Sequence, residues 1–167
     1  EIENKKAGKH AFIRLKLNSL LDEEFVEALY KASIAGVEVD LVIRGICSLM
    51  PGIPGVSENI RVRSILGRFL EHSRIFHFAN GGEDEIYIGS ADLMDRNLNR
   101  RVESLVKLTR AEHKKTLIKI FDQYTASTTA AWHLLPTGKW LLVDKDPSGA
   151  PLADLQAMII EAYRAKV

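Results

Sequence analysis

The stretch "AFIRLKLNSLLDEEFVEALYKASIAGVEVDLVI", from Ala11 to Ile43, decides the fold class. Its opening, Ala11 to Leu17, alternates apolar and polar residues as a strand does. Asp22 then stands where a helix N-cap is needed, because a short carboxylate can accept the unpaired N–H groups of a first turn. Behind it Phe25, Val26, Leu29, Ala32 and Ala35 recur at helical spacing, and Gly36 supplies a stop. Val37 to Ile43 is a second strand. Strand, helix and strand in this order make neighbouring parallel strands, since a crossover is required to bring the chain back in the same direction. The first third is therefore α/β.

Outward from this unit, "RGICSLMPGIPGVSENI" (Arg44 to Ile60) leaves the second strand as an irregular loop forced by Pro51, Gly52, Pro54 and Gly55. In α/β sheets ligands bind at the carboxyl ends of strands, where this loop begins. Short strands are expected at Ile60 to Leu66, Arg74 to Ala79 and Glu85 to Ile88, with Asn80, Gly81 and Gly82 turning the chain between the last two. "RVESLVKL" is a further strand candidate, and Ala111 to about Ala131 reads as a long helix. "LLPTGKW" is a turn, Lys139 to Val143 a short strand, and Ala150 to Ala165 a closing amphipathic helix. One domain over residues 1–167 is expected, with 140–167 as an added strand and helix.

Composition narrows the chemistry. The chain has 167 residues, 46% hydrophobic and 27% charged, with a net charge of +1. That balance gives no global pull toward nucleic acid or an anionic membrane, so anions must be held by locally placed cations and backbone amides. The single Cys47 rules out an internal disulfide framework, and no Cys/His spacing suits a metal. No apolar run approaches the roughly 20 residues that span a bilayer, and "EIENKKAGKH" has no signal-peptide core. Because the chain opens on Glu1, it reads as a piece of a longer polypeptide whose active site could be shared with another part.

Cations gather near the strand ends. Arg44 closes the second strand, while Lys16 and Asn18 end the first in the same sense. At that point Arg44 projects toward the sheet edge that the Pro/Gly loop surrounds, a surface ion pair with Glu38 or Asp40 being the alternative. "FLEHSRIFHF" (Phe69 to Phe78) holds His72 just ahead of a strand, free to face a site, and His77 inside it; a packed or solvent-edge residue is the plainer reading of a histidine in such a run. "GSADLMDRNLNRRVE" (Gly89 to Glu103) sets a Gly-Ser turn after a strand, with Ser90 able to meet an anion and Arg96, Arg100 and Arg101 able to clamp phosphate oxygens. A polar loop of internally paired arginines would look the same. Together these segments point to a phosphate-rich ligand.

The blocks "RGIC", "PGVSENI", "RFLEHSR" and "GSAD…RN…RVE", in this order, resemble the C-terminal catalytic domain of bacterial polyphosphate kinases of the phospholipase D-like type. The likeness runs from about Ile2 through Glu103 and more loosely to Trp140. It implies a phospholipase D-like mixed sheet flanked by helices. It also implies a magnesium-dependent enzyme that reversibly passes the terminal phosphate of ATP to inorganic polyphosphate through a phosphohistidine. That histidine belongs to a preceding phospholipase D-like domain, so this chain alone is expected to be inactive. His72 then resembles the second catalytic histidine, and His72 with Arg74 resembles the superfamily's His-x-Lys motif with arginine for lysine. Arg44 resembles the family's phosphate-contacting arginine, and Glu103 the glutamate near the catalytic groups, which would orient His72 by accepting its other ring N–H. Arg74, Lys16, Asn18 and Ser90 complete the expected substrate contacts. The implied partners are ATP or ADP, polyphosphate, the preceding domains and a further copy of the parent enzyme. The implied location is the cytoplasm or the inner face of the inner membrane.

The aspartate that follows His-x-Lys has no counterpart, Asn80 being the nearest polar residue, and the segment after Trp140 follows no motif of the family. Two other readings stand beside the kinase. A phospholipase D-like phosphodiesterase would need the lysine and aspartate that are missing. A non-catalytic polyphosphate- or nucleotide-binding module would need only the cations.

Overall fold

The expected unit forms as β1 (Phe12–Leu17), α2 (Glu23–Ile34) and β2 (Glu38–Ile43), after a short helix α1 (Ile2–Lys6), in the computed structural model, which describes residues 1–165. Asp22 caps α2, accepting from the Phe25 N–H at 3.1 Å. The remaining elements are β3 (Ile60–Ser64), β4 (Arg74–Phe78), β5 (Glu85–Gly89), α3 (Asp95–Asn99), β6 (Leu105–Lys107), α4 (Ala111–Thr125), β7 (Ala131–Leu134), β8 (Trp140–Val143) and α5 (Leu155–Arg164). All strands join one 8-stranded sheet in the order β6-β5-β4-β1-β2-β3-β7-β8. β1, β2 and β3 run parallel, whereas β4 lies antiparallel to β1 and β5 antiparallel to β4, so the sheet is mixed.

Helices cover both faces. Leu15, Leu17, Val39, Leu41 and Ile43 turn one way and pack with Leu29 and Ala32 of α2. Val42, Ile75 and Ile86 turn the other way and pack with Phe121 and Tyr124 of α4 and Leu155 of α5. The period of two in each strand sorts its residues between these layers. No helix among the described residues is long and apolar enough to cross a membrane.

Some expected boundaries move. The helix from Ala111 ends at Thr125, not near Ala131. The run "TASTTA" explains the early stop, because short hydroxyl side chains compete for backbone groups. Thr125 Oγ1 donates to the Phe121 carbonyl and Thr129 Oγ1 to that of Gln123. Ala131 then begins β7, an unexpected strand that pairs with β3. The closing helix starts at Leu155 rather than Ala150, because Asp154 accepts from the N–H groups of Gln156 and Ala157 and so fixes the first turn there. α1 and α3 are too short for their periodicity to be read.

Phe121 is fully buried between α4 and the sheet. Phe121→Ala should cost about 3–5 kcal/mol of folding stability, measured by urea unfolding. A loss near zero would mean that α4 does not build the second layer.

Candidate functional site

The mixed topology collects distant segments at one end of the sheet. β1 and β2 are parallel, so Asn18 and Arg44 leave their strands together. β4 is antiparallel to β1, so its first residue Arg74 lies at that same end, and the register Arg74↔Gly89 brings the end of β5 and Ser90 there too. Gly89 is required by the approach of β6: a Cβ on it would stand 2.6 Å from the Ser104 carbonyl oxygen.

Asp92 ties these segments together. Its Oδ1 accepts the backbone N–H of Asn18 at 2.7 Å and that of Ser19 at 3.2 Å, and Oδ2 accepts from the Asn18 amide at 3.4 Å. Arg74 closes a two-point ion pair on the same carboxylate, Nη2 to Oδ2 at 2.8 Å and Nε to Oδ1 at 3.3 Å. The pair is well buried, with side chains 11% and 4% exposed. Burial pushes the Asp92 pKa up, but the Arg74 guanidinium and the amides of Asn18 and Ser19 outweigh it and hold the carboxyl below its ordinary value.

His72 is exposed, two residues ahead of Arg74 and just outside β4. Arg74 Nη1 donates to the His72 carbonyl at 2.8 Å and lies 3.0 Å from the ring Nδ1. The same Nη1 lies 3.4 Å from Nε2, so the guanidinium sits against the edge of the ring that carries both nitrogens. Arg44 does not pair with Glu38 or Asp40, which Arg61 takes instead at 2.8 and 2.7 Å. It gives its Nε to Asn18 Oδ1 at 3.1 Å, and no described residue accepts from its terminal amino groups.

Other expected residues serve inside the protein. Lys16 is 1% exposed, with Nζ 3.3 Å from Glu71 and 3.2 Å from the Ser73 carbonyl, so it does not face a ligand as expected. Burial lowers its pKa, Glu71 opposes the fall, and the nearby charges of Arg44 and Arg74 add to it. These cations therefore share one field. Asn18 is also consumed, between Arg44 and Asp92. Glu103 does not reach His72: it accepts from the Ser90 hydroxyl and, at 2.6 Å, from the Asn97 amide, and these bonds lower its pKa. Ser90 in turn accepts the Ser104 N–H at 3.0 Å. Arg100 pairs with Asp95, as the bland reading of that loop allowed. His77 is buried in β4, with Nε2 2.9 Å from Asp84, away from this end.

Sequence reasoning names Asp92 and Asn97 only as members of the Gly-Ser run and gives neither of them, nor Glu71, a role of its own. Asp92 stood in the quoted Gly-Ser-Ala-Asp run, but its partners lie far along the chain and nothing local marks them. Asn80 makes the expected turn, its N–H bonded to Glu1, and takes no part here. As for magnesium, no group of His, Cys, Asp or Glu among the described residues could hold a metal ion. The carboxylates at this end are engaged by Arg74 and by Ser90 and Asn97. These residues do not fit a resident ion.

Asp92→Ala should cost about 3–5 kcal/mol near neutral pH, because it leaves Arg74 buried without its partner. The folded-state pKa of Asp92 is depressed, so its charge-dependent stabilisation is complete above its ordinary value of 3.8 and declines as pH falls below it. Denaturant unfolding at neutral pH and at pH near 3 should thus show a narrowing gap between wild type and variant; a constant gap would rule out the charge as its cause.

Comparison with known proteins bears on the family and the fold. The family described as "Polyphosphate kinase C-terminal domain 2" matches residues 1–153. A protein named polyphosphate kinase from Streptomyces coelicolor is 52% identical over 166 residues, 99% of this chain and 22% of its own length. The crystal structure of a polyphosphate kinase from Porphyromonas gingivalis superposes with a TM-score of 0.90 at 38% identity, covering 99% of this chain and 25% of that one. The phospholipase D family member Nuc from Salmonella typhimurium gives a TM-score of 0.51 at 17% identity over 72% of this chain and 83% of its own, a likeness of fold alone. The sheet with its antiparallel β4 is thus phospholipase D-like, and the chain spans only about a quarter or less of the polyphosphate kinases it matches. By sequence and by structure, this chain belongs to the polyphosphate kinase C-terminal domain family.

Proposed function

We propose that this chain is one catalytic domain of a polyphosphate kinase, which reversibly moves the terminal phosphate of ATP onto inorganic polyphosphate. The observation that carries the reading is the exposed His72 held beside Arg74, with Arg44 presenting unpaired donors at the same sheet end. The two relatives above that are named polyphosphate kinases supply the substrate class. Arginine in place of the motif's lysine weighs against a phosphodiesterase.

In this reading the chain is a single phospholipase D-like domain, and a preceding domain carries the histidine that is phosphorylated. The P–O bond to the terminal phosphate of ATP breaks as a P–N bond forms on that histidine, and ADP leaves. An oxygen at the end of polyphosphate then attacks, the P–N bond breaks, and the chain grows by one phosphate. Little covalent chemistry is asked of the protein beyond positioning and stabilising charge on the equatorial oxygens. Arg44 donates to those oxygens, more effectively in a partly dehydrated cleft than in water. His72 donates a ring N–H to the transferring phosphate or moves a proton as general acid and base. Arg74, committed to Asp92, holds the histidine and adds field. Ser90 and Glu103 shape the wall where the phosphate chain would run. Magnesium enters with the nucleotide phosphates and keeps most of its own waters. The enzyme would work in the cytoplasm or against the inner membrane, as an oligomer of the full chain.

The test uses the full-length protein with its preceding domains: ATP formation from ADP, magnesium and polyphosphate. His72→Ala should lower kcat about 10²–10⁴-fold with the fold retained. Arg44→Ala should lower kcat/KM about 10²–10³-fold with little loss of stability. Near-normal turnover by the histidine variant would end its catalytic assignment, and an inactive wild type would favour the binding module. The isolated chain, given ATP and magnesium, should form no polyphosphate.

A further inference from the structure

Gln156, in the first turn of α5, is only 6% exposed, although glutamine usually stays at the surface. Its amide reads the backbone of a segment 87 residues away: the Phe69 N–H donates to Oε1 at 2.7 Å, and Nε2 donates to the Phe69 carbonyl at 2.9 Å. One side chain thus does for Phe69 what a neighbouring strand would do. Nε2 also donates to Glu71 Oε1 at 2.9 Å. The other Glu71 oxygen accepts from the Tyr124 hydroxyl of α4 at 2.6 Å and faces Lys16 Nζ at 3.3 Å. Gly67 is fitted to this contact, since a Cβ there would lie 2.6 Å from Gln156 Oε1.

The segment so held, residues 65–73, has no regular secondary structure, and Leu66, Phe69 and Leu70 are 60%, 55% and 68% exposed. Apolar packing of those side chains cannot fix it. Ile65 buries its start in the second layer, Arg74 holds the His72 carbonyl at its end, and between them the anchors are the polar contacts of Phe69, Glu71 and Ser73, the residue between the last two being His72. The Gln156 anchor comes from α5, beyond the residues 1–153 matched by the family.

We propose that Gln156 is a positioning residue for His72: through Phe69 and Glu71 it clamps the segment that carries the imidazole, so α5 is part of the kinase machinery. This rests on the catalytic role of His72 argued above. A displacement of order 1 Å at a reacting group costs about 10²-fold in rate, so slack in this clamp appears in turnover before it appears in stability.

The experiment uses the full-length enzyme and two substitutions. Gln156→Met keeps the side-chain length and removes every hydrogen bond; Gln156→Glu keeps an acceptor for the Phe69 N–H but loses both donor contacts and sets a carboxylate against Glu71. Both should lower kcat for ATP formation about 10–100-fold, with KM for ADP and polyphosphate within about twofold; Tm should change little for Gln156→Met and fall for Gln156→Glu, which buries a second carboxylate beside Glu71. Amide hydrogen exchange across 66–73 should quicken, while that of α5 stays slow. In the wild type, the Phe69 amide should exchange more slowly than those of Arg68 and Leu70. Equal exchange at these amides, or unchanged exchange in both variants, would overturn the clamp. Faster exchange with normal kcat, or a fall in Tm with normal kcat per folded molecule, would reduce Gln156 to a structural role. An inactive wild type would overturn the kinase reading and the positioning role with it, while exchange would still decide the clamp.

Discussion

The carboxylate of Asp92 is the point on which the sheet end depends. Two backbone amides after β1, the Asn18 side chain and the Arg74 guanidinium all converge on it. A buried carboxylate with so many donors is charged at any ordinary pH, and that charge fixes Arg74 in one orientation. Through Asn18 the same carboxylate orients Arg44, whose remaining donors then face outward. Without this anion three cations, Lys16, Arg44 and Arg74, would meet at one edge with only Glu71 to balance them.

Charge is thus arranged in layers of decreasing burial. Lys16 lies deepest and is matched by Glu71, Arg74 is matched by Asp92, and Arg44 is matched by no anion among the described residues. Internal pairs of this kind seldom add net stability compared with apolar packing, and their worth lies in fixing geometry. Here they hold a histidine and an arginine at an edge open to solvent while cancelling the excess positive charge beneath. In the proposed reading, an anionic substrate would meet donors that are already oriented, which spares reorganisation when charge shifts during transfer.

What could be read in the sequence was local. β1, α2 and β2 follow from alternation, helical spacing and the Asp22 cap, all decided by neighbours within a few residues. The Asn80-Gly81-Gly82 turn follows from residues that accept positive φ, and Asn80 has φ 45°. His72, Arg74 and Arg44 were legible as a group because strand ends and a loop rich in Pro and Gly coincide there. Lys16 misled because a lysine in an alternating strand reads as solvent-facing, and only the arrival of α4 and Glu71 over that face buries it. Glu103 misled for a related reason: its partners Ser90 and Asn97 are close in sequence, yet the turn that joins them has no periodicity. The end of α4 was missed because a run of Ser and Thr can serve either helix or turn until its hydroxyls find carbonyls.

The bond from the Asn18 amide to Asp92 spans 74 residues. Closing so long a stretch of chain carries an entropic cost that grows only with the logarithm of its length, so ten extra residues within it would add about 0.1 kcal/mol. The turns and the Pro/Gly loop between β1 and β5 are therefore free to lengthen during evolution with hardly any thermodynamic penalty at the sheet end. Losing a single carboxylate there costs tens of times more. Relatives of this domain can differ widely in the size of their intervening loops and still present the same cations, provided that this one anion is kept.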